Sequence, residues 1–257
     1  MPATPNPFKA ALAGGRPQIG LWLASAEPAV AEIVAHAGFD WLVLDGEHAP
    51  NDLRSLRDQM MVVDPSPSHA VVRLPIGEAW MVKQVLDAGA QTVLVPMVDS
   101  AQEARAMARA MRYPPEGIRG MGASGGRVSG FGAIADYVQT ANQQVCLIVQ
   151  AESRRALENL DEILATDGVD GVFIGPADLS ADMGFPGNPT APEVQEAIAR
   201  ALRRIAASDK AAGILARDLD EARRFLDLGA TFVAVGIDTL IFARALRQLA
   251  GDARALL

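Results

Sequence analysis

Gly168-Val169-Asp170-Gly171-Val172-Phe173-Ile174 reads as the joint between a helix and a buried parallel strand. A glycine able to adopt the left-handed conformation ends the helix, a short connector follows, and an uninterrupted apolar run enters the sheet. The pattern recurs at Gly38-Phe39-Asp40-Trp41-Leu42-Val43-Leu44, Gly89-Ala90-Gln91-Thr92-Val93-Leu94-Val95 and Gly229-Ala230-Thr231-Phe232-Val233-Ala234-Val235. Four further apolar runs, Ile19–Leu23, Ala70–Arg73, Val145–Val149 and Ala212–Leu215, bring the candidate strands to eight. Helical periodicity fills the intervals at Pro28–Ala37 (with Ser25 as a candidate cap), Ala101–Met111, Glu193–Ala207, Glu221–Leu228 and Asp238–Ala250. This alternation over 257 residues predicts an α/β fold, a (β/α)8 TIM barrel that takes residues 1–257 as a single domain. Residues 1–15 read as a loose N-terminal tail and lead-in. The long segments Tyr113–Asp136 and Pro176–Pro192 read as rim loops or lids.

Half of the residues are hydrophobic and 21% are charged, which suits a large core and excludes disorder. A net charge of −8 argues against nucleic acid or an anionic membrane as partner. No apolar run approaches the roughly 18 residues that span a bilayer. Met1–Pro7 lacks the basic and hydrophobic regions of a secretory signal. The single cysteine, Cys146, lies within a candidate strand and has no intrachain partner, which favours a reducing compartment. The expected location is the cytoplasm.

Chemistry concentrates where the strands end. In a parallel barrel all carboxyl ends of the strands open on one face, so groups placed there meet in space. Trp41–Leu44 runs into Asp45-Gly46-Glu47-His48, Cys146–Val149 into Gln150-Ala151-Glu152, and Val172–Ile174 into Gly175-Pro176-Ala177-Asp178. Glu152 and Asp178 supply hard oxygen donors suited to a divalent cation such as Mg²⁺ or Mn²⁺. Both also precede helical stretches, where acids favour the helix dipole. His48 is the one histidine of three expected on this face, and Asp45 can turn back to orient its ring as a general base. Alternatively, His48 could bond Glu47 or ligate the metal. Arg73, ending its strand, can hold a carboxylate or an enolate oxygen, or pair with Asp45 or Glu47. The backbone N–H groups of Ala177 and Asp178 suit a small carboxylate. Trp22, near the end of the first strand, can touch substrate, whereas Trp41, Trp80 and Phe173 read as core.

The three lysines, Lys9, Lys83 and Lys210, end no strand, so no Schiff-base lysine is expected. Gly120-Met121-Gly122-Ala123-Ser124-Gly125 matches a dinucleotide fingerprint but follows turn residues rather than a strand, so NAD is not expected. A mobile loop carrying Arg119 and Arg127 is the better expectation.

Taken in order, Gly20-Leu21-Trp22, Asp45-Gly46-Glu47-His48, Arg73-Leu74-Pro75, Tyr113-Pro114-Pro115-Glu116-Gly117-Ile118-Arg119-Gly120, Gln150-Ala151-Glu152 and Val172–Ser180 resemble the HpcH/HpaI aldolase family over essentially the whole chain. The resemblance implies a metal-dependent class II pyruvate aldolase with Glu152 and Asp178 holding Mg²⁺, Mn²⁺ or Co²⁺. It implies Arg73 on the enolate, His48 with Asp45 moving protons, and Asp87 reaching a neighbouring subunit's site. Gln150, backbone amides at Gly175, Pro176 and Ala177, and Leu215 would contact substrate. The last helix would be exchanged between subunits of a homohexamer, a trimer of dimers. The implied partners are a small 2-oxoacid and an aldehyde. The sequence departs from the family pattern at Ala123–Gly132 and at Arg217, both expected beside the aldehyde. The alternatives are an acyl-CoA lyase of the citrate lyase beta type and a non-catalytic metal-binding barrel.

Overall fold

The computed structural model describes residues 1–257. Helix α1 (Pro7–Ala13) precedes strand β1 (Gln18–Leu23). There follow α2 (Pro28–Ala35), β2 (Trp41–Asp45), α3 (Leu53–Val63), β3 (His69–Arg73), α4 (Ala79–Ala88), β4 (Thr92–Val95) and α5 (Ala101–Met111). Beyond two short 3-10 turns come α6 (Tyr137–Ala141), β5 (Cys146–Ala151), α7 (Arg154–Glu158), α8 (Leu160–Leu164) and β6 (Gly171–Ile174). The chain closes with α9 (Pro176–Asp182), α10 (Pro192–Ala206), β7 (Ala211–Leu215), α11 (Leu219–Asp227), β8 (Phe232–Ile237) and α12 (Asp238–Arg254).

All eight strands pair in parallel in chain order, and β8 returns to β1, so the expected TIM barrel forms and closes. Alternation along each strand divides two apolar layers. Leu42, Leu44, Val93, Val149 and Ile174 face the helices, while Val43, Leu94, Ile148 and Phe173 fill the lumen. The lumen is packed to contact: a Cβ on Gly20 would lie 2.3 Å from the Trp41 ring, so only glycine lets that indole cross the barrel floor.

The N-terminal residues are not a loose tail. Asn6 accepts from the Lys9 amide (2.9 Å) as the cap of α1, with Pro7 at the first helical position. Its Nδ2 donates to Thr92 Oγ1 (3.1 Å) and to the Gln144 carbonyl (3.0 Å). These bonds seat α1 across the N-terminal mouth, where the Phe8 ring stacks on His69 (5.4 Å, 12°) and meets Phe232 edge-on (6.0 Å, 89°). Apolar Phe8 and Leu12 stop the barrel from below, and that burial overturns the expectation of a free end.

Tyr113–Asp136 is also not a rim loop at its own barrel's catalytic mouth. It joins α5 to the N-terminal side of β5, and connections of that kind lie on the opposite face. Nor is it a free arm. Arg119 is buried against Asp87 (2.7 Å) with its guanidinium 4.4 Å from the Tyr113 ring centre, and Arg127 pairs with Asp64. Pro176–Pro192 does lie on the catalytic side, but its first half is helix α9 rather than a lid. Trp80, expected in the core, is half exposed at the start of α4. No helix is long and apolar enough to cross a membrane.

Beneath Phe8, His69 Nε2 bonds Thr92 Oγ1 (2.8 Å), and burial pushes the imidazole down from 6.5 to about 4. The native ring stays neutral where the unfolded chain's histidine binds a proton, so this group lowers stability as pH falls from 6.5 towards about 4. His69→Gln keeps a polar partner for Thr92 but cannot titrate. Urea unfolding of the two proteins is expected to show the parent's slope reduced, by up to about 1.4 kcal/mol per pH unit in that window.

Candidate active site

The β2–β3 register places Asp45 directly beside Arg73 at the carboxyl ends of their strands. The arginine lies flat against the carboxylate, Nε to Oδ1 at 2.8 Å and Nη2 to Oδ2 at 2.7 Å, with both residues buried. A buried guanidinium needs such a fork, because removing one partner of a buried pair costs about 3–5 kcal/mol. Trp22 supports it from β1: its Nε1 donates to Asp45 Oδ2 (3.1 Å), and the Arg73 guanidinium lies 4.8 Å from the indole centre. Burial raises the proton affinity of Asp45, but the two bonds and the charge of Arg73 outweigh it, so its pKa is lowered.

Asp45 Oδ1 also accepts the backbone amides of Glu47 (3.0 Å) and His48 (3.3 Å), folding the Asp-Gly-Glu-His segment over the mouth. The carboxylate expected to orient the His48 ring is thus committed to Arg73 and to backbone amides. Glu47 stands in that place, its Oε2 3.9 Å from His48 Nε2 and 2.7 Å from Arg73 Nη1. Burial raises the pKa of Glu47, with Arg73 opposing and the neighbouring acids Asp45 and Asp178 adding to the rise. His48 itself reaches into solvent, 66% exposed, as a group meant to meet a ligand would.

Across the mouth, Glu152 is buried. Its Oε1 accepts the Met97 amide (2.8 Å) and its Oε2 accepts Gln150 Nε2 (2.8 Å). Burial, then the negative charges of Asp178 and Glu47, push Glu152 up to about 7 against the Met97 amide. Gly175 makes its place: a Cβ there would sit 2.1 Å from Glu152 Oε2. Asp178, in the first turn of α9, is exposed in the mouth, and no ion pair or side-chain hydrogen bond engages it. Two oxygen-donor acids, one of them held in a negative potential, fit a hard divalent cation, which would relieve that potential. No third His, Cys, Asp or Glu completes a closed cage, so water and substrate would supply the remaining positions.

A family model described as HpcH/HpaI aldolase/citrate lyase matches residues 18–245. The chain belongs to the HpcH/HpaI aldolase/citrate lyase family. It is 59% identical, over 97% of its length and 94% of the relative's, to a protein named hydroxypyruvate/pyruvate aldolase from Agrobacterium fabrum. It is 56% identical, over 95% of its length and 94% of the relative's, to a 4-hydroxy-2-oxo-heptane-1,7-dioate aldolase from Escherichia coli. The crystal structure of an HpcH/HpaI aldolase/citrate lyase family protein from Burkholderia cenocepacia superposes with a TM-score of 0.93 at 41% identity, covering 97% of this chain and 99% of that one.

Within this HpcH/HpaI barrel the expected residues divide. Trp22, Asp45, His48, Arg73, Gln150, Glu152, Asp178 and Leu215 stand at the carboxyl ends of the strands, Leu215 packing on the lumen layer. Of the amides expected to hold a carboxylate, Gly175 N–H turns to the Ala151 carbonyl (3.5 Å) and Pro176 has none. Only Ala177, with Asp178 behind it, presents an N–H there. Asp87 lies at the far end of α4, half buried on Arg119, and is not part of its own barrel's mouth. Arg217, two residues past the end of β7, is held by Glu221 through Nε (3.1 Å) and Nη2 (2.9 Å) and stays half exposed. The sequence offers Glu47 only as an alternative partner for His48 and for Arg73, and the structure gives it both contacts. The Met97 amide has no signal in the sequence, because no side-chain pattern announces it.

Gly175→Ala is expected to force the Glu152 carboxylate off the Met97 amide and destabilise the protein by about 1–3 kcal/mol. The φ of −96° suits any residue, so the cost is one of space. A crystal structure of the variant with Glu152 unmoved would refute this.

Proposed function

We propose that this chain is a metal-dependent class II aldolase that reversibly cleaves 4-hydroxy-2-oxoacids to pyruvate, or a close relative of it, and an aldehyde. The observation that carries this is the placing of a cation-seeking pair, Glu152 and Asp178, opposite a guanidinium and an accessible imidazole at one mouth. The names of relatives 56–59% identical point the same way.

Glu152 and Asp178 would hold Mg²⁺, Mn²⁺ or Co²⁺. When bound, the cation supplies Lewis-acid polarisation of the substrate's 2-oxo group. His48 takes the proton of the C4 hydroxyl; those electrons form the aldehyde carbonyl as the C3–C4 bond breaks, and its pair flows towards the 2-oxo oxygen. Glu47, beside Nε2, steadies the imidazolium so formed. Arg73 offers its charge to the developing enolate oxygen, and its pairing with Asp45 keeps the guanidinium oriented before substrate arrives. The Ala177 amide donates to the substrate carboxylate at the start of α9, and Trp22 with Leu215 walls the apolar side. Return of that proton from the His48 imidazolium to C3, relayed by water, completes pyruvate and restores the neutral base.

Lys9 at the N-terminal face bonds the Val145 carbonyl, Lys83 lies on α4, and Lys210 precedes β7; these places support a reading in which no imine-forming lysine takes part. An acyl-CoA lyase would call for a basic surface around the CoA phosphates, and the charge of −8 provides no support for one.

The same reading assigns the protein to a cytoplasmic homohexamer that exchanges α12. Support comes from α12 itself, which buries only Asp238 and leaves Leu240, Ile241, Phe242, Leu246 and Leu249 about half exposed or more. So continuous an apolar face calls for a protein partner.

Treatment with EDTA is expected to abolish cleavage, and added Mn²⁺ or Mg²⁺ to restore it; full activity in the chelator would end the proposal. Exchange of pyruvate methyl protons in deuterated water, followed by NMR, is expected only from an enzyme that forms the enolate of free pyruvate. Replacing Phe242 and Leu249 together by Asp is expected to convert the assembly to smaller species in light scattering, with the barrel's circular dichroism kept. An unchanged mass would exclude the exchange.

A further inference from the structure

Three non-glycine residues adopt a left-handed backbone: Ala26, Met97 and Phe131. Met97 has φ +52°, and it is the one of the three whose amide bonds a carboxylate of the candidate site. A side chain rarely tolerates this conformation, and strained backbone concentrates where function over-determines it. Packing of the methionine does not explain the strain, because its side chain is 53% exposed. The backbone around it is tied instead. The Val98 amide donates to the Gln150 carbonyl (3.0 Å), and the Met97 amide then points at Glu152 Oε1 (2.8 Å). Glu152 is thus gripped on three sides: by the Met97 amide, by Gln150 Nε2, and by the space that Gly175 leaves.

We infer that Met97 is a positioning residue whose left-handed peptide, rather than its thioether, aims the Glu152 carboxylate at the metal site. The inference rests on Glu152 being a metal ligand. With Oε1 on a main-chain donor and Oε2 on Gln150, the carboxylate is held in one orientation and is spared a rotameric search on binding. Main-chain donors of this kind orient ligating carboxylates, and losing such a partner costs about 10- to 100-fold in metal affinity. A main-chain donor also cannot swing away with a side chain.

Backbone conformation and side-chain identity separate in a substitution series. Met97→Gly and Met97→Asn suit positive φ and keep the amide; Met97→Ile opposes it through β-branching. Stripped full-length protein titrated with Mn²⁺ by calorimetry is expected to give affinities within about twofold of the parent for Gly and Asn, and about tenfold weaker or worse for Ile. If Met97→Ile does not fold, an α-hydroxy acid at position 97, which replaces only the N–H by an ester oxygen, is expected to give the same tenfold loss. Equal weakening by Gly and Ile would assign the effect to the thioether and overturn the inference, as would parent-like affinity in Ile or in the ester. Glu152→Gln is the control for the underlying reading. If it binds Mn²⁺ as the parent does, Glu152 is not a ligand and the reading falls. If it loses Mn²⁺ while Met97→Ile and the ester keep it, the positioning role alone falls.

Discussion

The buried pair of Arg73 and Asp45 is the interaction on which the mouth of this barrel depends. A guanidinium at the end of a lumen-facing strand is tolerable only when a carboxylate meets it squarely. The strand register supplies that carboxylate from the adjacent strand. Once Asp45 is held, its remaining lone pairs collect the amides of Glu47 and His48 and so set the path of the following loop. The place of Glu47, and through it the surroundings of the imidazole, are therefore consequences of one ion pair. Trp22 completes the arrangement by donating from β1, so aromatic packing and charge placement are settled together.

The other half of the mouth works by imbalance. Glu47, Glu152 and Asp178 influence one another, and Arg73 is the cation that both Glu47 and Glu152 feel. Such a set holds more negative charge than its own cation can neutralise. Burial first, and this charge in addition, raise the proton affinity of Glu152, and a divalent ion is the natural means of lowering it again. The two halves differ in kind: one is a closed, satisfied pair that fixes geometry, the other an open cluster that awaits charge.

Much of this was legible in the sequence, for identifiable reasons. The glycine-to-strand joints at Gly38, Gly89, Gly168 and Gly229 report local backbone requirements that any parallel sheet imposes, and each of these glycines does adopt positive φ. Strand ends then follow from strand positions, which is why Asp45, Arg73, Glu152 and Asp178 were found together. What escaped depends on three-dimensional competition. Asp45 could have faced His48 or Arg73, and the fork geometry of the guanidinium decided in favour of Arg73. Residues 1–15 looked unstructured because only the lumen of the finished barrel offers Phe8 its place. Tyr113–Asp136 lies on the opposite face because it leads from helix α5 into a strand, and its length and glycine content alone do not tell the two faces of a barrel apart. The Met97 amide leaves no trace in residue type at all.

The pairing of β8 with β1 closes the sheet, and it joins the last strand made to the first. Until residue 237 has left the ribosome, Gln18–Leu23 carries an unpaired edge, and Trp41 and Phe232 cannot both occupy the floor. The stopper formed by Phe8 has no socket before then. A nascent chain of this protein thus spends nearly its whole synthesis with an adhesive strand edge and a homeless aromatic at its leading end. Shielding of an exposed strand edge during synthesis would therefore matter most over Gln18–Leu23.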